Sequence, residues 1–236
     1  MRLFVTGDVH GDSGYRKIEK FLLKSDNKFT YDDCLLICGD FGILSDNGEN
    51  DEYHMELYSQ LPCRILWVDG NHENFDLLCK FPQEDWLGGK VHKISDNILH
   101  LMRGEIFKLP MNEGVLTFFT FGGAKSTDRG YDTGFNDYWW AQELPSEEEI
   151  NNGINNLLQH GNRVDYIFTH EAPQSILSSF FGIERDYDVT FNSFLEKIAV
   201  DVEFKGWFFG HHHNDIRKKN FFLIYNKIVE IKLSKS

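Results

Sequence analysis

The residues able to do chemistry come in five short segments: Gly7-Asp8-Val9-His10-Gly11, Gly39-Asp40, Gly70-Asn71-His72-Glu73, Thr169-His170 and Gly210-His211-His212-His213. Carboxylate, carboxamide and imidazole groups are oxygen and nitrogen donors for divalent metals, and a pair of cations needs such donors from several segments at once. Two cations roughly 3.5–4 Å apart can share one carboxylate and one water, and that water loses a proton near neutral pH to become a nucleophile. Each segment alone is weak evidence. Gly-Asp is ordinarily a turn, and a single buried histidine is ordinarily a hydrogen-bonded core residue. Five together carry the argument, and the run His211 to His213 lies inside the chain, behind an apolar stretch, where a tag remnant would not be.

Something must position these groups, and each segment ends an apolar run: Leu3 to Val5, Leu35 to Cys38, Ile65 to Val68, Tyr166 to Phe168 and Trp207 to Phe209. Runs of this kind are expected of buried strands that hand a polar residue to the following loop. Between the first three runs, Tyr15 to Lys24 carries helical spacing and Asp51 to Gln60 can serve as a second crossover, and Asn74 to Lys80 can follow the third run in the same way. The first third therefore reads as βαβαβα with parallel strands. Residues 98–121 alternate short β-rich runs with turns (Ile98 to Leu101, Ile106 to Leu109, Val115 to Phe121), which suggests antiparallel hairpins. Ser146 with Glu149 spells a capping box at a helix start, Phe191 to Val200 is amphipathic, and Phe221 to Ile231 returns to strand character.

The five segments, in this order, resemble the calcineurin-like metallophosphoesterase family, whose pattern is D-x-H, G-D, G-N-H-[DE], H and G-H-x-H. The resemblance runs from Asp8 to His213. It implies an α/β fold of two packed mixed β-sheets flanked by helices, a four-layer α/β/β/α sandwich. It also implies two divalent metal ions, with Asp8, His10 and His213 on the first, Asn71, His170 and His211 on the second, and Asp40 bridging them. His72 would then protonate the leaving oxygen, work that suits an imidazole. The mixed oxygen and nitrogen set suits manganese first, then iron or zinc, better than calcium. The implied activity is phosphoester hydrolysis by attack of a metal-bridging hydroxide, on a phosphomonoester or small nucleotide-type substrate. Alternatives are a phosphodiesterase or pyrophosphohydrolase acting on nucleotides or oligonucleotides, and a non-catalytic binding module on the same fold. Protein serine/threonine phosphatases of this family carry Asp and Arg three and four positions after the bridging aspartate; here those positions are Ile43 and Leu44.

A phosphate grip must then come from elsewhere. The segment Phe121 to Arg129 follows a strand-like run, its Gly122-Gly123 permits a tight turn, and Arg129 offers a planar fork for phosphate oxygens, with Ser126 and Asp128 as further hydrogen-bonding groups. An ordinary surface loop is the alternative. Trp139-Trp140 reads as packing of a loop against the body, or as a wall for a base or sugar.

The chain has 236 residues, no internal repeat and a net charge of −13, so a single domain spanning 1–236 is expected and long nucleic acid is a disfavoured partner. A phosphorylated small molecule, nucleotide or phosphoprotein remains open as substrate. The first motif begins at Gly7, which leaves no room for a cleavable leader ahead of it, and no apolar run approaches a membrane span. Cys34, Cys38, Cys63 and Cys79 show no C-x-x-C spacing; reduced thiols and a cytoplasmic location are expected.

Overall fold

In the computed structural model, residues 1–24, 28–44, 51–126, 140–182 and 188–233 are described. They form two mixed sheets. The first has seven strands: β1 (Leu3–Thr6), β2 (Cys34–Cys38), β3 (Arg64–Val68), β4 (Gln83–Trp86), β5 (Gly89–Lys93), β6 (Ile98–Leu101) and β13 (Val229–Ile231), in the order β13-β1-β2-β3-β6-β5-β4. The second has six: β7 (Glu105–Met111), β8 (Gly114–Phe121), β9 (Tyr166–Thr169), β10 (Gly206–Phe209), β11 (Ile216–Lys218) and β12 (Phe221–Leu223), in the order β11-β12-β10-β9-β8-β7.

Side-chain alternation along the strands explains the layers. In β1, Leu3 and Val5 face the other sheet while Phe4 turns to the opposite face, and all three are buried. Between the sheets Leu36, Leu66 and Val68 meet Phe107, Phe118, Phe168 and Phe208. On the outer face of the first sheet, Phe4, Ile37, Ile65 and Trp67 pack with residues of helices α1 (Asp12–Lys24), α2 (Asp51–Ser59) and α3 (Phe75–Leu78), namely Ile18, Tyr58, Phe75 and Leu78. On the outer face of the second, Phe119, Phe121, Ile167, Trp207 and Phe209 pack with Leu157, Leu177, Phe194 and Leu195 of α4 (Glu147–Gln159), α5 (Gln174–Phe181) and α6 (Val189–Asp201). The result is the expected four-layer α/β/β/α arrangement. Burying one such Phe or Leu contributes about 1.5–3 kcal/mol, so this core holds the strand ends rigidly.

Strands β1, β2, β3 and β6 run parallel, as do β8, β9, β10 and β12. One reading of the sequence needs correction. Ile98 to Leu101 does not pair with the runs that follow it; β6 lies parallel to β3 and antiparallel to β5, while β7 and β8 form a hairpin in the other sheet. The missing partner is the β4–β5 hairpin, whose Gln83-Glu84-Asp85 strand is exposed and lacks an apolar signal. Phe221 to Ile231 has the expected strand character, divided between two sheets: β12 ends at Leu223 in the second and β13 starts at Val229 in the first. The chain crosses between sheets there, and Tyr225 on that crossing stacks on His213 with ring centroids 4.7 Å apart.

Candidate metal centre

All five segments follow strands at the same end of the two sheets. Asp8 and His10 follow β1, Asp40 follows β2 and Asn71 follows β3; His170 follows β9, and His211 and His213 follow β10. Ends of parallel strands are where α/β sheets gather functional groups. The backbone there is contorted. His10, Asp40, His211 and His213 have φ of +48°, +50°, +66° and +45°, a region that costs a non-glycine residue of order 1–3 kcal/mol and that clusters at functional sites. Glycine at two neighbouring positions is a matter of space: a Cβ on Gly39 would stand 2.0 Å from His170 Nδ1, and one on Gly210 would stand 2.1 Å from Asp8 Oδ1.

Two clusters of ligand atoms share Asp40. In the first, donor atoms of Asp8, His10, Asp40 and His213 lie within 4.8 Å of one another. His10 Nε2 is 3.0 Å from His213 Nε2, 3.8 Å from Asp8 Oδ2 and 3.8 Å from Asp40 Oδ2. In the second, Asp40, His170 and His211 lie within the same limit, with His170 Nε2 3.4 Å from Asp40 Oδ2 and 3.2 Å from Asn71 Oδ1. Two atoms bound to one cation at about 2.1 Å stand roughly 3.0–3.4 Å apart for octahedral or tetrahedral angles. The spacing fits.

Hydrogen bonding also calls for positive charge. His170 Nδ1 donates to the Cys38 carbonyl at 2.7 Å, which directs Nε2 at the oxygens of Asp40 and Asn71. Burial opposes a charge on this imidazole, but the Asp40 carboxylate outweighs it and holds His170 up at about 10. Asp8 Oδ2 is buried without a well-directed hydrogen bond, although His213 Nε2 is 2.9 Å away. A nitrogen and oxygens converging in this way need a proton or a cation between them, and divalent metals satisfy all of them together. The residues present therefore fit a pair of divalent ions.

Surrounding groups lock the candidate ligands in place. Asp40 Oδ1 accepts the backbone N–H groups of Asn71 and His72, both at 3.1 Å, and Asp8 Oδ1 accepts that of His211 at 2.8 Å. Glu73 ties the second and third loops together by accepting Gly70 N–H at 2.7 Å and Phe41 N–H at 3.0 Å. Burial, with the nearby Asp40 charge, pushes Glu73 up to about 8. Behind His211 stands Glu171. Its Oε1 accepts from His212 Nε2 at 2.9 Å and its Oε2 lies 3.8 Å from His211 Nε2, the place an outer carboxylate takes behind a ligating histidine. Burial would raise Glu171; the His212 hydrogen bond and the charges of His211 and His212 instead hold it at about 2.

His72 is exposed at the rim, its ring 5.8 Å from that of His10. Arg129, Asp128 and Trp139 lie outside the described residues. Trp140 is half-buried and packs on the outer core of the first sheet. Ser126, which the sequence offered as a phosphate contact, instead accepts from Asn71 Nδ2 at 3.2 Å and donates to Glu143 Oε2 at 2.6 Å. Sequence reading missed Glu143 and Glu171, as well as Arg103 and His100, which grip the Asp69 carboxylate just ahead of Gly70. Glu171 is the one with a signal, since it directly follows His170; the others meet the site through contacts distant in sequence.

A carboxylate shared between two imidazole clusters, at strand ends of two packed mixed sheets, makes this a candidate metal centre. The family model described as calcineurin-like phosphoesterase matches residues 1–215, and the chain belongs to that family. No curated protein matches it.

Proposed function

We propose that the chain is a metal-dependent phosphoesterase that hydrolyses a phosphomonoester or small nucleotide-type substrate. One observation carries this reading: Asp40 Oδ2 faces His10 Nε2 at 3.8 Å and His170 Nε2 at 3.4 Å, so a single carboxylate serves both clusters. Asp8, His10, Asp40 and His213 would hold one ion, and Asp40, Asn71, His170 and His211 the other, with manganese favoured over iron or zinc by the mixed donor set. When bound, the ions supply Lewis acidity that activates water and draws charge from phosphoryl oxygens.

The chain's own residues do the rest. Asp40 keeps the two clusters in register, and its bonds from Asn71 N and His72 N set where His72 stands. At the rim His72 protonates the departing oxygen, and Arg129 grips the phosphate. Both sheets contribute donors to one centre, which supports reading 1–236 as one functional domain. Burial pushes the thiols of Cys34 and Cys63 up to about 12 and that of Cys38 up as well, which keeps them unreactive and suits a reducing compartment such as the cytoplasm.

The test is hydrolysis of nitrophenyl phosphate and its bis-ester side by side, with manganese added or chelated, by wild type and Asp40→Asn. Metal-dependent turnover lost in Asp40→Asn is expected, and the preferred ester identifies the bond. No turnover of either ester, nor of a phosphoanhydride, by manganese-loaded protein would overturn the enzyme reading.

A further inference from the structure

Among the seven candidate ligands Asn71 is the one whose side chain has two chemically different ends. Its Oδ1 can bind a cation and its Nδ2 cannot, so a half-turn of the carboxamide would remove a ligand without moving the chain. We propose that Ser126 and Glu143 are positioning residues that fix this carboxamide with its oxygen toward the second ion subsite. The proposal rests on the metal-centre reading above.

A hydroxyl has one proton to give. Ser126 Oγ donates its proton to Glu143 Oε2 at 2.6 Å, a short bond of the kind carboxylates form. Its remaining capacity toward Asn71 is as an acceptor, and only the amide end of Asn71 can donate. Nδ2 is therefore held on Ser126 at 3.2 Å, and Oδ1 is turned to the other side, 3.2 Å from His170 Nε2. Glu143 is itself fixed. It is 1% exposed, and its second oxygen accepts the Ser126 backbone N–H at 3.1 Å.

The scaffold behind this relay is anchored to the metal loop. Asp69, two residues ahead of Asn71, accepts the Gly123 N–H on its carbonyl at 2.9 Å and Arg103 Nε on its carboxylate at 2.9 Å. Arg103 Nη2 in turn donates to the Gln142 carbonyl at 2.8 Å. The segments bearing Ser126 and Glu143 are thus braced against the segment bearing Asn71. A polar relay of this kind would be wasted on an aspartate, whose two oxygens are equivalent.

That last point supplies the test. Manganese alone is titrated calorimetrically into metal-free wild type, Ser126→Ala, Glu143→Gln, Asn71→Asp and Asn71→Asp/Ser126→Ala, with thermal melting to confirm folding. Glu143→Gln keeps the size but leaves one acceptor for two donors. Wild type should take up two ions. Ser126→Ala and Glu143→Gln should each weaken one of them by about tenfold to a hundredfold, the usual range for losing an outer partner of a ligand. In the Asn71→Asp background, Ser126→Ala should cost nothing further. Folded Ser126→Ala and Glu143→Gln proteins with wild-type affinity for both ions would overturn the proposal, as would an equal Ser126→Ala loss in both backgrounds. Wild type that binds fewer than two ions would instead overturn the metal-centre reading and the proposal with it.

Discussion

Removing one charge from Asp40 should act on both clusters, because its Oδ2 faces a histidine from each and its Oδ1 organises two backbone N–H groups. His72 differs: it contributes no atom to either cluster of donor atoms. Elemental analysis of the purified variants should find both ions depleted in Asp40→Asn and wild-type content in His72→Ala. Turnover in His72→Ala should fall by about 10²–10⁴-fold, most for substrates with poor leaving groups. Equal metal loss in the two variants would mean that His72 had been given the wrong role.

The elements that present these residues are held by local devices. Ser146 caps α4: its hydroxyl accepts the Glu149 N–H at 3.2 Å while Glu149 returns a bond to Ser146 N at 2.7 Å. Ser146→Ala should therefore cost about 1 kcal/mol, which for a chain of this length lowers the melting temperature by about 2–4 °C. A thermal melt unchanged within error would show that tertiary packing holds the helix start without the cap.

Strands β5 and β6 carry a second device, a chain of bonds from Gln83 Nε2 to His92 Nε2 at 3.3 Å, from His92 Nδ1 to His100 Nδ1 at 3.0 Å and from His100 Nε2 to Asp69 Oδ1 at 3.1 Å. Read in that direction, the His92 ring accepts once and donates once, as a neutral imidazole does. Burial, with the adjacent His100, pushes His92 down to about 4. The unfolded chain then binds more protons than the folded one between that value and roughly 6.5, so stability falls as pH drops through this window. The loss should be about 1–2 kcal/mol after allowing for solvent screening. Denaturant melts at pH 7 and pH 4.5 should show a smaller acid loss in His92→Gln than in wild type; an identical loss would assign it to other groups.

At the scale of the molecule, the candidate centre is assembled because two sheets face each other. The 7-stranded sheet brings Asp8, His10, Asp40 and Asn71, and the 6-stranded sheet brings His170, His211 and His213. Ions bound across that seam should clamp the sheets together. At a free metal concentration a hundred times the dissociation constant the stabilisation is about 2.7 kcal/mol, so chelation should lower the melting temperature by about 5–10 °C. Asp40→Asn should show no such shift; a wild-type melt insensitive to both manganese and chelator would remove the clamp. Among the described residues no helix is long and apolar enough to cross a membrane.

Local signals along the chain already determine the donor strands and the five motifs. A buried parallel strand must be apolar on both faces, as Leu35 to Cys38 and Ile65 to Val68 are, and the polar residue that ends it must fall in the next loop. The capping box at Ser146 is equally local, since its partners are three residues apart. Pairing was not legible in the same way. Whether β6 joined β3 or β7 depended on a hairpin, Gln83 to Lys93, whose first strand is exposed and carries no apolar alternation to announce it. Outer partners of the ligands were hidden for a related reason: Asn71 and Ser126 are 55 residues apart, and His211 meets Glu171 across two strands. The choice of candidate ligands follows from residue type and strand ends, which are properties of short segments. Ligand orientation follows from which segments the packed sheets bring side by side, and only the folded chain contains that.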